Sequence, residues 1–133
     1  MYYIEVQTKK SFGVLVIAYR RHKNLEKILE FLISLEISYI EISIDGPNSK
    51  SDLEDNQIVL QVATKFSLKH PDTIAVSSHV ENMGCAVNVI NSCNSFFSRV
   101  EFGIILEDDC VPTKDFFEFA IANKDNLNKD ENI

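Results

Sequence analysis

The sequence lacks the short glycine-containing motifs by which many nucleotide-binding and hydrolytic enzymes are identified. It has four glycines in 133 residues, and it contains no GxxxxGK[ST] phosphate-binding loop, no GxGxxG dinucleotide fingerprint and no GxSxG nucleophile elbow. These absences exclude P-loop nucleotide hydrolases, the dinucleotide-binding enzymes that depend on the fingerprint, and α/β-hydrolases of the serine type.

Metal-binding and redox patterns of cysteine and histidine are also absent. The three cysteines and three histidines are dispersed along the chain: Cys85, Cys93, Cys110, His22, His70 and His79. No cysteine pair has CxxC spacing and the number of cysteines is odd, so we expect a reducing, cytoplasmic environment. The carboxylates directly before Cys110 should raise the pKa of its thiol, which predicts a packing residue rather than a nucleophile.

Long apolar runs and a surplus of basic residues are missing as well. No stretch approaches the roughly 20 residues of a membrane span and the N-terminus has no signal-peptide pattern, so any membrane association would be peripheral. The net charge of −7 argues against a non-specific nucleic-acid binder, which needs a basic face. The hydrophobic fraction of 45% is enough for a buried core, and we expect one domain over residues 1–133.

Apolar segments of two kinds alternate along the chain. Four β-branched runs predict strands, and the apolar residues between and after them recur at helical spacing; the predicted strands cover residues 12–19, 39–45, 73–80 and 101–107. Asn24 and Asp115 are the expected N-caps of the first and last helices. The order β-α-β-α-β-α-β-α predicts a Rossmann-like α/β fold, an open and mostly parallel sheet with helices on both faces.

Polar residues, and after the third strand a glycine, follow the predicted strands at the edge where parallel strands end. They are Tyr19, Arg20 and Arg21 after the first strand, Asp45 after the second, Gly84 after the third, and Glu107, Asp108 and Asp109 after the fourth. Ligands of open α/β sheets bind at this edge. Arginines facing clustered carboxylates indicate an anionic ligand bridged by a cation, and oxygen donors favour Mg²⁺ or Mn²⁺. A solvated strand end is the alternative interpretation of the acidic triplet.

Four segments, in order, resemble the GT-A class of nucleotide-sugar glycosyltransferases: "VLVIAYRR", "EISIDGP", "ENMGCAVNVI" and "GIILEDDCVPTKDFFEF". The last is especially similar to the metal-site segment of N-acetylglucosaminyltransferase I and its bacterial relatives, where E-D-D is followed by a proline or alanine and then by D-F-F. The resemblance implies a domain that binds a nucleoside-diphosphate sugar, expected to be a UDP-sugar. It also implies glycosyl transfer to an acceptor hydroxyl on a glycan or lipid-linked molecule.

The resemblance implies a role for four positions on the nucleotide side. Ala18 and Tyr19 would line the uridine pocket through backbone and ring. Arg21 would reach the diphosphate, and Asp45 would accept a hydrogen bond from the uracil.

The remaining matching positions would hold the sugar and the metal. Glu107 and Asp108 would bind ribose or sugar hydroxyls, and Asp109 would be the direct ligand of Mn²⁺ or Mg²⁺. The metal would stabilise the departing nucleoside diphosphate as a Lewis acid. Gly84 and Asn88 lie where the third loop of the family meets the donor.

The resemblance assigns no catalytic base within this sequence, because in this family the base and the acceptor site lie C-terminal to the acidic triplet. We therefore expect the base beyond Ile133, and we expect the chain to be the donor-binding half of a longer glycosyltransferase. Three alternatives stay open: a nucleotidyltransferase, a phosphotransfer domain that uses an aspartate, and a truncated non-catalytic remnant. The phosphotransfer alternative is the weaker enzyme class, since its essential acid usually follows the first strand, where this chain has tyrosine and arginine.

Overall fold

The computed structural model describes residues 8–129 and contains four strands and four helices in strict alternation. The strands are β1 (Lys10–Ala18), β2 (Ile40–Ile44), β3 (Ile74–Ser78) and β4 (Val100–Glu107), and the helices are α1 (His22–Ser34), α2 (Lys50–Lys69), α3 (Cys85–Phe97) and α4 (Lys114–Lys129). The predicted order of elements is confirmed.

Two of the expectations from the sequence fall outside the described residues. The single domain expected for residues 1–133 extends at both ends beyond residues 8–129. The catalytic base expected beyond Ile133 lies outside them too, as does Ile133 itself. The described residues include all those expected to bind the donor, and the expected position of the base stays a prediction.

The four strands form one parallel sheet in the order β3-β2-β1-β4. Strand β1 is central: its Val16 pairs with Ile42 on one side and Leu106 on the other. Val14, Leu15 and Val16 are fully buried, as a continuous apolar run in a central parallel strand predicts. The chain moves outward from β1 through β2 to β3 and then returns to place β4 on the other side of β1, so a topological switch point lies between β1 and β4.

Helices cover both faces of the sheet, and they cover them unequally. The larger core packs β1 and β2 side chains such as Val16 and Ile42 against apolar residues of α1, α2 and α4. The smaller core, on the opposite face, contains Leu15, Tyr39, Phe96 and Val100. Phe96 belongs to α3, which therefore covers the second face. None of the helices in the described part of the chain is both long and apolar enough to cross a membrane.

Two of the predicted helix caps are wrong. Helix α1 begins at His22 with Arg21 in the capping position, so Asn24 lies inside its first turn. Helix α4 begins at Lys114, and the Thr113 hydroxyl accepts the Phe116 N–H at 3.2 Å in place of Asp115. Both errors have one cause: several polar residues precede each apolar stripe, and local preference alone does not choose among them.

A buried polar cluster occupies the amino-terminal end of β2, away from the carboxyl edge of the sheet. Glu41 accepts the Tyr39 hydroxyl at 2.8 Å and an Arg99 guanidinium N–H at 3.0 Å. Burial, with the Glu41 hydrogen bond second, raises the pKa of Tyr39 to about 12. The cluster is paired internally, so its buried acid supports the sheet and takes no part in the candidate site.

Two paired glycines allow α3 to pack closely on the sheet. Gly13 of β1 and Gly103 of β4 are register partners. A Cβ at Gly103 would overlap the Phe96 ring, and one at Gly13 would lie 2.9 Å from atoms of Tyr39 and Val100. The Phe96 ring stacks on Tyr39 with centroids 6.3 Å apart. The absence of side chains at this pair therefore determines how near α3 lies to the two central strands.

We expect Gly103→Ala to lower the free energy of unfolding by about 1–3 kcal/mol, because the added methyl must displace a fully buried ring. Urea denaturation of the two proteins measures the difference. Ser77→Ala, on the exposed face of edge strand β3, is the control and should change stability little. Equal effects of the two substitutions would contradict the packing argument.

Candidate functional site

The carboxyl ends of the strands open into a cleft of about 430 Å³ at the switch point. All nine residues that the sequence predicted for the site line this cleft: Ala18, Tyr19, Arg21, Asp45, Gly84, Asn88, Glu107, Asp108 and Asp109. They come from the ends of β1 and β4, the first turn of α3 and the segments that follow the strands, which are far apart in sequence. The parallel sheet brings them together because all its strands end at one edge.

Asp108 is buried and ties the end of β4 to the end of β1. One carboxylate oxygen accepts the Tyr19 N–H at 2.9 Å and the Arg21 N–H at 3.4 Å, and the other accepts the Arg21 guanidinium at 3.1 Å. The side chain is 7% exposed, against 47% for Arg21. Asp108 thus binds three donors of the protein itself, which positions the Arg21 guanidinium at the rim of the cleft.

The acids on either side of Asp108 differ from it in exposure: Glu107 and Asp109 line the cleft and are both exposed. Neither forms an ion pair with any of the residues 8–129. A hydrogen bond to Asp109, and then the charge of Asp109, raise the pKa of the Cys110 thiol, which agrees with the expectation that Cys110 is not a nucleophile. The expectation that Cys110 packs in the interior is wrong, because its side chain is exposed in the turn after β4. The three adjacent acids therefore divide into one structural carboxylate and two that face solvent.

The exposed carboxylates fit a hard divalent cation. In the described part of the chain no three His, Cys, Asp or Glu side chains are grouped to hold a metal by themselves. Mg²⁺ needs only one or two protein carboxylates when substrate phosphates complete its coordination. Asp109, with Glu107 beside it, supplies oxygen donors of that kind at the cleft wall.

The Tyr19 ring is held in place by residues that sequence reasoning missed. Its hydroxyl donates to Asp52 at 3.0 Å and accepts the Asn48 N–H at 2.8 Å, while Arg20 bonds the other oxygen of Asp52 at 2.9 Å. Burial is the main cause of the raised pKa of Tyr19. Hydrogen bonds from Tyr19 and then Arg20 lower the pKa of Asp52. Arg20 is therefore engaged with α2, and it does not line the cleft.

Asp45 joins the loops that follow β2 and β3. One of its oxygens accepts the Gly46 and Met83 N–H groups at 2.9 and 2.8 Å, and the other accepts the Asn82 amide at 3.3 Å. A side chain at Gly46 would strike the backbone of Glu81, so the two loops touch. Asp45 is 5% exposed, and its carboxylate already receives three protein donors.

One further amide joins the ends of β1 and β2. The Asn56 side chain of α2 donates to the backbone oxygens of Tyr19 at 2.8 Å and Asp45 at 2.9 Å. Sequence reasoning missed Asn56 because an asparagine within a helix shows no pattern of its own. The spacing of Asn56 and Asp52, one helical turn apart on the same face of α2, is a signal that could have linked them.

Comparison of the chain with protein-family models finds no match, and no curated protein matches it. The geometry and chemistry of the cleft are therefore the basis for assigning a function.

Asp108→Ala should destabilise the fold by roughly 1–3 kcal/mol, since it leaves two backbone N–H groups and a guanidinium without their partner. Asp109→Ala is the matched control, because the same acid one residue later is exposed, and it should change stability by less than about 0.5 kcal/mol. Thermal and urea unfolding of both variants measure the effects. A loss of equal size in the two variants would show that Asp108 does not bridge the strands.

The Asp52 carboxyl should titrate with a midpoint below its usual 3.8. A lowered pKa favours the folded state above pH 3.8, and this contribution disappears as the pH falls through the lowered value. Tyr19→Phe removes the largest cause and should move the Asp52 midpoint upward in a ¹³C NMR titration. Tyr39→Phe, which removes a hydroxyl elsewhere, should leave the midpoint in place. An unchanged Asp52 midpoint in Tyr19→Phe would refute the assignment.

Proposed function

We propose that this chain binds a nucleoside-diphosphate sugar, with a UDP-sugar as the expected donor, and acts as the donor-binding part of a glycosyltransferase. One observation carries the proposal: a half-exposed arginine, Arg21, and two exposed carboxylates, Glu107 and Asp109, line the same cleft at the switch point. A diphosphate with a bound cation is complementary to that combination of charges.

Arg21 and Asp109 are the groups proposed to bind the diphosphate. Arg21 gives one guanidinium nitrogen to Asp108 and retains further N–H groups that can donate to phosphate oxygens. Asp109 would hold Mg²⁺ or Mn²⁺. When bound, such an ion supplies Lewis-acid stabilisation of the negative charge on a leaving diphosphate. Arg21 would thus bind the diphosphate directly, and Asp109 would bind it through the cation.

The nucleoside is proposed to lie beside Ala18 and Tyr19. The Tyr19 ring is immobilised through its hydroxyl by Asp52 and Asn48, so it offers a fixed surface for a base or ribose. Glu107 is exposed and suits ribose or sugar hydroxyls, as the resemblance implies. The hydroxyl-binding role expected for Asp108 is less favoured by the geometry, since three protein donors already occupy its oxygens.

The acceptor, the sugar and the catalytic base are not assigned to residues of this chain, and a base beyond Ile133 stays part of the proposal. A glycan or lipid-linked acceptor and a cytoplasmic location belong to it as well. An aspartate phosphotransfer role is disfavoured because β1 is followed by Tyr19 and Arg20, which are hydrogen-bonded to Asp52. A nucleotidyltransferase would differ by preferring a nucleoside triphosphate.

Isothermal titration of UDP with and without Mn²⁺ tests the proposal. We expect Mn²⁺ to tighten UDP binding at least about tenfold, equivalent to about 1.4 kcal/mol, because the cation joins Asp109 to the diphosphate. Asp109→Ala should abolish the gain. Asp72→Ala, which removes an exposed acid before β3 at the opposite end of the sheet, should retain it.

Two results would contradict this proposal. If Mn²⁺ does not affect UDP binding, or if Asp109→Ala responds to Mn²⁺ as the unaltered chain does, the metal role of Asp109 is wrong. Tighter binding of UTP than of UDP and UDP-sugars would instead favour the nucleotidyltransferase.

A further inference from the structure

Asn88 is a buried polar side chain on the cleft wall whose hydrogen bonding is incomplete. It is 2% exposed and lines the cleft. Its Oδ1 is buried and has no hydrogen-bond partner among the described residues. A buried acceptor without a donor costs roughly 1–3 kcal/mol, and native proteins leave few of them. An unsatisfied acceptor at a cleft wall therefore indicates a group that arrives from outside.

The position of Asn88 follows from a contact one turn further along α3. The Ser43 and Ser92 hydroxyls are 2.6 Å apart and join β2 to α3. Asp45 follows the end of β2 two residues after Ser43, and Asn88 lies one helical turn before Ser92. Both residues line the cleft.

Two polar groups that line the same cleft are already engaged elsewhere. The Asp45 carboxylate accepts hydrogen bonds from the loops after β2 and β3. The Tyr19 hydroxyl gives its proton to Asp52. A ligand that hydrogen-bonds to the Asn88 oxygen must bring an N–H or O–H group, because that oxygen can only accept.

We propose that Asn88 reads the base of the bound nucleotide: its Oδ1 accepts the imide N–H, and its Nδ2 donates to the carbonyl beside that N–H. The inference rests on the proposed nucleotide-binding function. A side-chain amide presents an acceptor and a donor side by side, which matches the N–H and C=O edge of an imide. Uracil and guanine both carry this edge. The diphosphate is retained at the rim by Arg21 and Asp109, which leaves the base for the buried end.

The assignment differs from the expectation that Asp45 accepts the uracil hydrogen bond. Asp45 has three protein donors, whereas the Asn88 oxygen has none among residues 8–129. In this arrangement Asp45 is a positioning residue that shapes the loops around the base. Asn88 becomes the specificity-determining residue.

The test compares UDP with 3-methyluridine 5′-diphosphate, which lacks the imide N–H, by calorimetry in saturating Mn²⁺. The unaltered chain should bind UDP about tenfold or more tightly than the methylated nucleotide. Asn88→Leu keeps the side-chain size and removes both hydrogen bonds, so UDP affinity should fall about tenfold. Asn91→Ala, an exposed asparagine of the same helix, is the control and should bind as the unaltered chain does. A parallel titration with GDP distinguishes the two bases that carry adjacent N–H and C=O groups.

The outcomes distinguish this inference from the function on which it rests. If Asn88→Leu binds UDP as tightly as the unaltered chain and binding still depends on Mn²⁺, other residues recognise the base. The inference about Asn88 is then overturned, and the proposed function is retained. If the unaltered chain with Mn²⁺ binds no UDP, the proposed function fails and the inference with it.

A second measurement uses the unaltered chain and does not depend on the folding of a variant. The side-chain amide signals of Asn88 in ¹H–¹⁵N NMR should shift on addition of uridine monophosphate and stay in place with ribose 5-phosphate. Signals that do not shift with either compound, or that shift equally with both, would overturn base recognition by Asn88.

Discussion

The cleft depends on one buried carboxylate, Asp108, which joins the ends of two neighbouring parallel strands. In the strand order β3-β2-β1-β4, the loops after β1 and β4 leave the sheet side by side at the switch point. Nothing in the ladder of strand hydrogen bonds holds those loops together once the strands end. Asp108 does so by accepting the backbone N–H groups of Tyr19 and Arg21. Because the charge of Asp108 is balanced by the Arg21 guanidinium, burying it at this point is tolerable.

The second constraint is the close approach of α3 to the sheet, on which the deep end of the cleft depends. Gly13 and Gly103 lie in register and leave room for the Phe96 ring, and the Ser43–Ser92 hydrogen bond joins the helix to β2 one turn nearer the cleft. The helix is thus held against the sheet at two levels, and Asn88, one turn before Ser92, lines the cleft with its oxygen unpartnered among the described residues.

Much of the fold, and the set of residues that line the cleft, could be predicted from the sequence. The buried run that became β1 and the helical stripes between strands are strong periodic signals, and one edge of a parallel sheet necessarily gathers residues such as Tyr19, Asp45 and Asp109. Asn56 and Asp52 were missed because their partners are backbone or hydroxyl groups on other elements. Sequence spacing carries no record of such contacts. The wrong caps at Asn24 and Asp115 have a local cause, since several polar residues precede each apolar stripe and residue preference alone does not choose among them.

The sequence by itself determined the alternation of strands and helices, the parallel sheet and the gathering of charged residues at its carboxyl edge, because hydrophobic periodicity and chain order dictate these. The tertiary structure decided which of three adjacent acids is buried. Glu107, Asp108 and Asp109 have similar carboxylates, and only the position of the loop after β1 gives the middle one three donors while its neighbours face solvent. The environment of each carboxylate, rather than its identity, separates the structural acid from those free to bind a ligand.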